Sequence, residues 1–196
     1  MSDIASAIRP SIVMTIGFTL LCGIAYPLAV TGVGQAVMPN QANGSLIVDD
    51  AGTVIGSELI GQSFAKPGYF HSRPSAAGKD GYDASASSGS NLSPGSKDLH
   101  DRIAKDVAAA HKAGIATVPA DMVTTSASGL DPDINPDNAL AQAPRIARAR
   151  GISVARVNDL IDKTEAGKLI GFIGEPRVNV LALNRQLDAM SATKAR

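Results

Sequence analysis

Residues 11–33, SIVMTIGFTLLCGIAYPLAVTGV, carry no charged side chain and open a charge-free segment that runs over residues 10–48. As a helix rising about 1.5 Å per residue this stretch is roughly 35 Å long, enough to cross a hydrocarbon core of about 30 Å with some tilt. It therefore reads as a transmembrane helix. The chain divides into a tail of residues 1–10, one crossing at 11–33, and an extramembrane domain over residues 39–196. A secretory signal peptide is the competing reading, since Arg9 gives a basic start and Val33-Gly34-Gln35-Ala36 resembles a cleavage site. Such peptides have apolar regions of only about 7–15 residues, so an uncleaved anchor is favoured. Arg9 flanks the N-terminal end and the first basic residue beyond the span is Lys66. The positive-inside tendency then keeps residues 1–10 in the cytoplasm and exports the domain.

Within the span, Gly17, Thr19, Gly23, Ala25 and Ala29 are small residues that would let a neighbouring helix approach closely, although Gly and Ala are also common in membrane helices generally. Tyr26-Pro27 is expected to kink the last third or begin its end. No ionisable group lies in the span, so a transport role would have to be borrowed from partner chains. Cys22, the only cysteine, reads as a small apolar residue and excludes an internal disulfide.

Outward from the span, 196 residues suit one ordinary domain plus an anchor. Eighteen basic and eighteen acidic residues cancel, which argues against nucleic-acid binding. Two β-branched runs, Ser45-Leu46-Ile47-Val48 and Thr53-Val54-Ile55, flank Asp49-Asp50-Ala51-Gly52 and predict a hairpin. Residues 64–95 turn rich in Gly, Ser, Pro and Asp around one aromatic island, Tyr69-Phe70-His71-Ser72-Arg73-Pro74-Ser75; a loop this long usually carries function or binds a partner. Helices follow. Ser96 caps one that ends before Gly114, with Leu99, Ile103 and Val107 on one face. Asn135 caps a second, with Pro136 first, Gly151 just past its end, and Leu140, Ala143, Ile146 and Ala147 buried. Ser153 caps a third through Thr164 with Val154, Val157, Leu160 and Ile161 inward. A fourth begins at Asn179, carries Val180, Leu183 and Leu187, and ends in a polar tail. The fold class is α+β: one N-terminal transmembrane helix, then a domain with a small sheet and several packed helices.

Sites of chemistry are few. Asp131-Pro132-Asp133-Ile134-Asn135 imitates the start of a calcium loop, but Pro136 replaces the turn glycine and Gln142 the closing glutamate, so turn and cap duty explain these residues better than a metal. Histidine spacing suggests no zinc site and no phosphate-cradling glycine loop is present. A hydrolase could be built from His71, His100 or His111 with Ser126 or Ser128, yet no Gly-x-Ser-x-Gly elbow exists. A membrane-tethered exported hydrolase using His71 and a serine remains the alternative to a non-catalytic member of a complex.

Five blocks in order behind an Arg-Pro and the membrane helix point further: Gln41 to Ile47 (QANGSLI), Tyr69 to Ala76 (YFHSRPSA), Ser88 to Leu92 (SGSNL), Ser126 to Pro132 (SASGLDP) with Ile134-Asn135-Pro136, and Val178 to Asn184 (VNVLALN). Together they resemble the KdpC family of the bacterial high-affinity potassium-transporting ATPase. The resemblance implies a non-catalytic member of a complex in the bacterial inner membrane, needed for assembly of a machine that couples ATP hydrolysis to potassium uptake. Its implied partners are a channel-like A subunit, a P-type ATPase B subunit and, optionally, a small F subunit. No tightly bound cofactor is implied, and ATP would be met only through the B subunit. A family proposal makes KdpC a chaperone that raises the B subunit's ATP affinity, with a glutamine touching nucleotide; the matching position is Gln142 in Ala141-Gln142-Ala143-Pro144-Arg145. That role conflicts with an exported domain. Under the simpler reading Gln142 bonds its neighbours, and Tyr69, Phe70, His71, Arg73, Ser126, Ser128 and Asp131 supply docking surfaces.

Overall fold

The computed structural model describes the backbone of residues 2–49, 51–168, 171 and 173–194, and the side chains of these apart from 2–5 and 191–194. The chain forms two compact units, one up to Leu46 and one from Ile47 onward.

The first unit is almost entirely helical. Helix α1 (Ser2–Leu20) passes through a π turn, Leu21–Ala25, into α2 (Tyr26–Val37). The π turn has a local cause. Pro27 lacks an N–H and its ring crowds the carbonyl four residues back. Instead of ending, the chain widens, and the Tyr26 N–H donates to the Leu21 carbonyl five residues earlier. Of the two outcomes expected at Tyr26-Pro27, the terminus does not occur, since the helix continues to Val37. Residues 6–37 contain an 18-residue window of mean hydropathy 1.9, none of it buried. That length and composition suit a membrane crossing and enclose the expected span. A short helix α3 (Pro39–Ala42) follows, and Gln35 and Asn43 exchange side-chain amide hydrogen bonds of 3.1 and 3.2 Å.

In the second unit, β1 (Leu46–Val48) and β2 (Val54–Ser57) form a two-stranded sheet. Its turn is built by Asp49, whose Oδ1 accepts from the Ala51 and Thr53 N–H groups, while Gly52 takes φ +80°. Asp50 lies outside the described residues. After a long stretch free of regular structure come α4 (Lys97–Lys112), a 3₁₀ turn (Ala120–Met122), β3 (Asp133–Ile134), α5 (Pro136–Arg150), α6 (Val154–Thr164), β4 (Val178–Asn179) and α7 (Val180–Lys194). The caps follow from residue chemistry: Ser96 accepts from Leu99 N–H, Ser153 from Arg156 N–H, and Asn179 Oδ1 from Ala182 N–H. Gly151 takes the left-handed conformation, φ 63°, that ends α5. Asn135 precedes α5 without a side-chain cap; its own N–H donates to Asp121. The end of the polar tail, residues 195 and 196, is outside the described residues.

The architecture is α+β, with a second, separate two-stranded sheet besides the expected one. Strands β3 and β4 pair antiparallel, Asp133 opposite Asn179 and Ile134 opposite Val178, tying the chain before α5 to the chain before α7. Two dipeptides so far apart carry no local strand signal. Helix α6 packs on both α5 and α7, and the core consists of Phe70, Ile134, Ala139, Ala143, Ile146, Ala147, Val157, Leu160, Ile161, Val178, Val180, Leu183 and Leu187. Two expected core residues are corrected: Leu140 is 39% and Val154 41% exposed. Helix α5 is rotated so that Asn138 and Gln142 turn inward beside Ala139 and Ala143, which leaves Leu140 at the edge of the stripe. Helix α4 is peripheral, since Leu99, Ile103 and Val107 are only partly buried and Ala110 alone is buried.

Candidate functional site

The aromatic island runs as an extended strap across α5 and α7, held by side chains instead of a sheet. Phe70 N–H donates to Asn184 Oδ1 at 2.8 Å, and Asn184 Nδ2 donates back to the Phe70 carbonyl at 3.0 Å. One residue on, His71 N–H donates to Gln142 Oε1 at 2.8 Å, and Gln142 Nε2 donates to the His71 carbonyl at 3.0 Å. Each amide reproduces the paired bonds of a β ladder, and the backbone fixes which end of the amide is which because an N–H can only donate. The Phe70 side chain is completely buried between these two helical anchors.

Two arginines extend the clamp. Arg145 Nη1 donates to the Pro67 and Tyr69 carbonyls at 2.5 and 3.0 Å, and its Nη2 to Gln142 Oε1 at 2.7 Å. Arg150 donates to the Gly68 and Leu187 carbonyls, pairs with Asp188 at 2.9 Å, and stacks 4.7 Å from the Tyr69 ring centroid. The Tyr69 hydroxyl donates to Asp188, which together with burial raises its pKa. Gln142 Nε2 also donates to Asn138 Oδ1, and Asn138 Nδ2 to Asp121 Oδ2. At 4% exposure, all four hydrogen-bonding positions of Gln142 are in use.

The remaining predicted residues gather elsewhere on the domain. Arg73 Nη1 pairs with Asp131 Oδ2 at 2.7 Å and its Nε donates to the Thr124 carbonyl. Asp131 Oδ1 accepts from Asp133 N–H, the turn duty expected of it. Ser126 and Ser128 lie in the turn that ends at Gly129. This turn closes on the glycine- and serine-rich loop: Ser88 N–H donates to the Ser128 carbonyl, and Ser75 Oγ to the Gly129 carbonyl at 2.6 Å. Gly129 is required here. Its φ is +66°, and a Cβ would sit 2.5 Å from the Ser88 carbonyl oxygen. The Tyr82 hydroxyl donates to the Arg73 carbonyl, completing the bracing.

The geometry thus brings together Phe70, His71 and Gln142 in one place and Arg73 and Asp131 in another. No hydrogen bond joins His71 to Ser126 or Ser128 among the described residues. His71 Nε2 lies 3.1 Å from the Lys66 carbonyl, an acceptor only, so the neutral ring carries its proton there. Burial, then the charge of Arg145, lowers the His71 pKa, partly offset by the Lys66 carbonyl. His71, Asn138, Gln142 and Arg145 border a cavity of about 230 Å³ walled by Ala109, Ala110 and Met122. That is below the 300–1,000 Å³ typical of ligand pockets. A second cleft, about 260 Å³, is lined by Arg73, Asp121, Asp131, Asp133, Glu175 and Arg177. Burial is the main cause raising the Asp133 pKa, countered first by the hydrogen bond from Asn179 Nδ2 and then by Arg177 at 3.1 Å. Among the described residues no three His, Cys, Asp or Glu are grouped so as to hold a metal ion. Gly17, Thr19, Gly23, Ala25 and Ala29 lie exposed along the first unit's helix.

Sequence reading missed Asn138, Arg145, Arg150 and Asn184. The signal available was the i, i+4, i+7 spacing of Asn138, Gln142 and Arg145 alongside the apolar stripe of α5, three polar residues on a face about to be buried.

Fold and site define a chain with one apolar N-terminal helix and an α+β domain whose polar side chains are spent on holding its own long loop. The model of one family, K+-transporting ATPase, c chain, matches residues 8–189. A protein of Caulobacter vibrioides named potassium-transporting ATPase KdpC subunit is 63% identical over 186 residues, covering 94% of this chain and 93% of its own. Proteins of the same name from Caulobacter sp. strain K31 and Allorhizobium ampelinum are 60% and 54% identical, each over 190 residues. They cover 94% and 96% of this chain, and 94% and 99% of their own lengths. The chain belongs to the KdpC family.

Proposed function

We propose that this chain is the non-catalytic member of an ATP-driven potassium uptake complex and that it acts in assembly and stability of that complex. Family membership across residues 8–189 carries the reading. The use of Gln142, Asn184, Arg145 and Arg150 in internal clamping supports a scaffold over a reaction centre. The partners are a channel-like A subunit, the ATP-hydrolysing B subunit and, optionally, a small F subunit. The helix spans the inner membrane, its face at Gly17, Thr19, Gly23, Ala25 and Ala29 packs on partner helices, and the domain lies in the periplasm. There the exposed parts of Tyr69, His71, Arg73, Asp131 and the Ser126–Ser128 turn meet the A subunit; the Phe70 side chain, wholly buried, serves the fold. No cofactor is bound tightly.

Two experiments test this. A tagged chain extracted in mild detergent should bring down two much larger membrane proteins, and isolation without partners would overturn the assignment. Protease added to intact spheroplasts should digest the domain, whereas digestion confined to inverted vesicles would place it in the cytoplasm. That second outcome favours the other reading, direct support of ATP binding to the B subunit. Its one structural support is that Gln142 and Arg145 border a cavity, and it requires Gln142 to give up hydrogen bonds it now makes.

A further inference from the structure

Helix α4 is well made as a helix and poorly fastened to its domain. Ser96 caps it, Lys97 pairs with Asp101, and His111 and Lys112 occupy its last turn. Among the described residues, all its hydrogen bonds and ion pairs stay within the helix and the residues flanking it, Ser96 and 113–115. No helix or strand packs on it as α6 does on α5 and α7. Ala110 is its one buried residue, and Arg102 shares the inward side. Arg102 Nε and Nη1 are sealed from water without a hydrogen bond, since Asp106 Oδ2 stands 3.6 Å away. Behind the helix lies the cavity of about 230 Å³, with Asp106, Ala109, Ala110 and Ala113 on one side and His71, Gln142 and Arg145 on the other. Each feature weakens docking: a void forfeits contacts, and a donor sealed without an acceptor regains water when the helix lifts. The clamp itself does not need α4, because Gln142 bonds only His71, Asn138 and Arg145.

We propose that α4 is a hinged cover, which lifts as a unit from the cavity beside the strap while α5, α6 and α7 stay folded. The pivots are the stretches before Ser96 and after Lys112, where no regular structure holds the chain and Gly95 and Gly114 stand in open space. Lifting bares the cavity and the His71–Gln142 clamp to solvent. It exposes little apolar surface, since Leu99, Ile103 and Val107 are already partly wet.

The test is amide hydrogen exchange of the full chain in detergent, followed over α4 and over α5 and α6 at several urea concentrations below the unfolding transition. The interior amides of α4 should exchange at least about 100-fold faster than those of α5 and α6. They should also share one urea dependence, shallower than that of global unfolding, because opening exposes part of the surface that unfolding does. Two variants separate the contributions. Ala110→Asp, which sets a carboxylate against the domain, should speed α4 exchange at least about tenfold and leave α5 and α6 as they were. Arg102→Leu, which removes the sealed donors, should slow α4 exchange severalfold. Exchange of α4 in step with α5 in the natural chain overturns the proposal, and so does an equal acceleration of both by Ala110→Asp. Simple fraying overturns it as well: rates would then grade from the ends of α4 to its middle without any dependence on urea. Faster α4 exchange in Arg102→Leu, which would make Arg102 a fastening instead of a burden, has the same force.

Discussion

Replacing Gln142 by leucine removes the amide that holds the strap and leaves the bulk of the side chain in place. The loss comprises both bonds to His71, one to Asn138 and one from Arg145. Arg145 retains two carbonyls, so the main cost is the His71 N–H and C=O left facing a leucine. At about 1–3 kcal/mol for each unsatisfied buried group, and with His71 only partly buried, the sum is about 3 kcal/mol. For a domain of this size that is roughly 6–12 °C in Tm. Circular dichroism of the full chain in detergent reads the shift. Gln142→Glu separates the contributions: it keeps an acceptor for His71 N–H and Arg145 but loses both donations, and should fall between leucine and the natural residue. A Tm within about 1 °C of the natural chain for Gln142→Leu, with unchanged exchange at the His71 amide, would refute the clamp. A Gln142 reserved for nucleotide would behave that way, losing ATP affinity in the complex without losing stability.

Phe70→Ala should destabilise by about 3–5 kcal/mol, measured by urea unfolding, since a fully buried ring leaves a cavity between α5 and α7. Gly129→Ala should cost more than about 1 kcal/mol in the same assay, because the new Cβ meets Ser88 and Ala77 backbone at 2.5 and 2.7 Å with φ positive. His71 gives a pH signature: its folded pKa lies below the ordinary 6.5, so on acidification the unfolded chain takes up the proton first. Stability should therefore fall as pH drops below about 6.5 and level off beneath the folded value, and His71→Asn should flatten that part of a Tm-versus-pH curve.

Much of the fold was open to reading from residues alone, because the signals were local. A charge-free run long enough to cross a bilayer, serines at two helix starts and a glycine just past α5 act within one turn of chain, so no distant contact was needed to place them. The hairpin turn at Asp49 and the Asx turn at Asp131 belong to the same class. Pro27 shows the limit even of local signals: its missing N–H can end a helix or be absorbed by a π turn, and the composition of the flanks does not choose.

What the sequence by itself determined was therefore a long apolar N-terminal helix ahead of an α+β domain, the helix order and, through five motif blocks, the family. Only the tertiary structure decided what the motifs are for. The pairing of Phe70 with Asn184, 114 residues apart, and of His71 with Gln142, 71 apart, has no periodicity that a sequence could display. The rotation of α5 that hides Gln142 and leaves Leu140 outside depends on where the strap lies. A strap with no neighbouring strand must still satisfy its backbone N–H and C=O groups once buried, and here side-chain amides from two helices do so. That requirement acts through space, which is why Gln142 read in the sequence only as a candidate nucleotide contact and Asn184 carried no site signal at all.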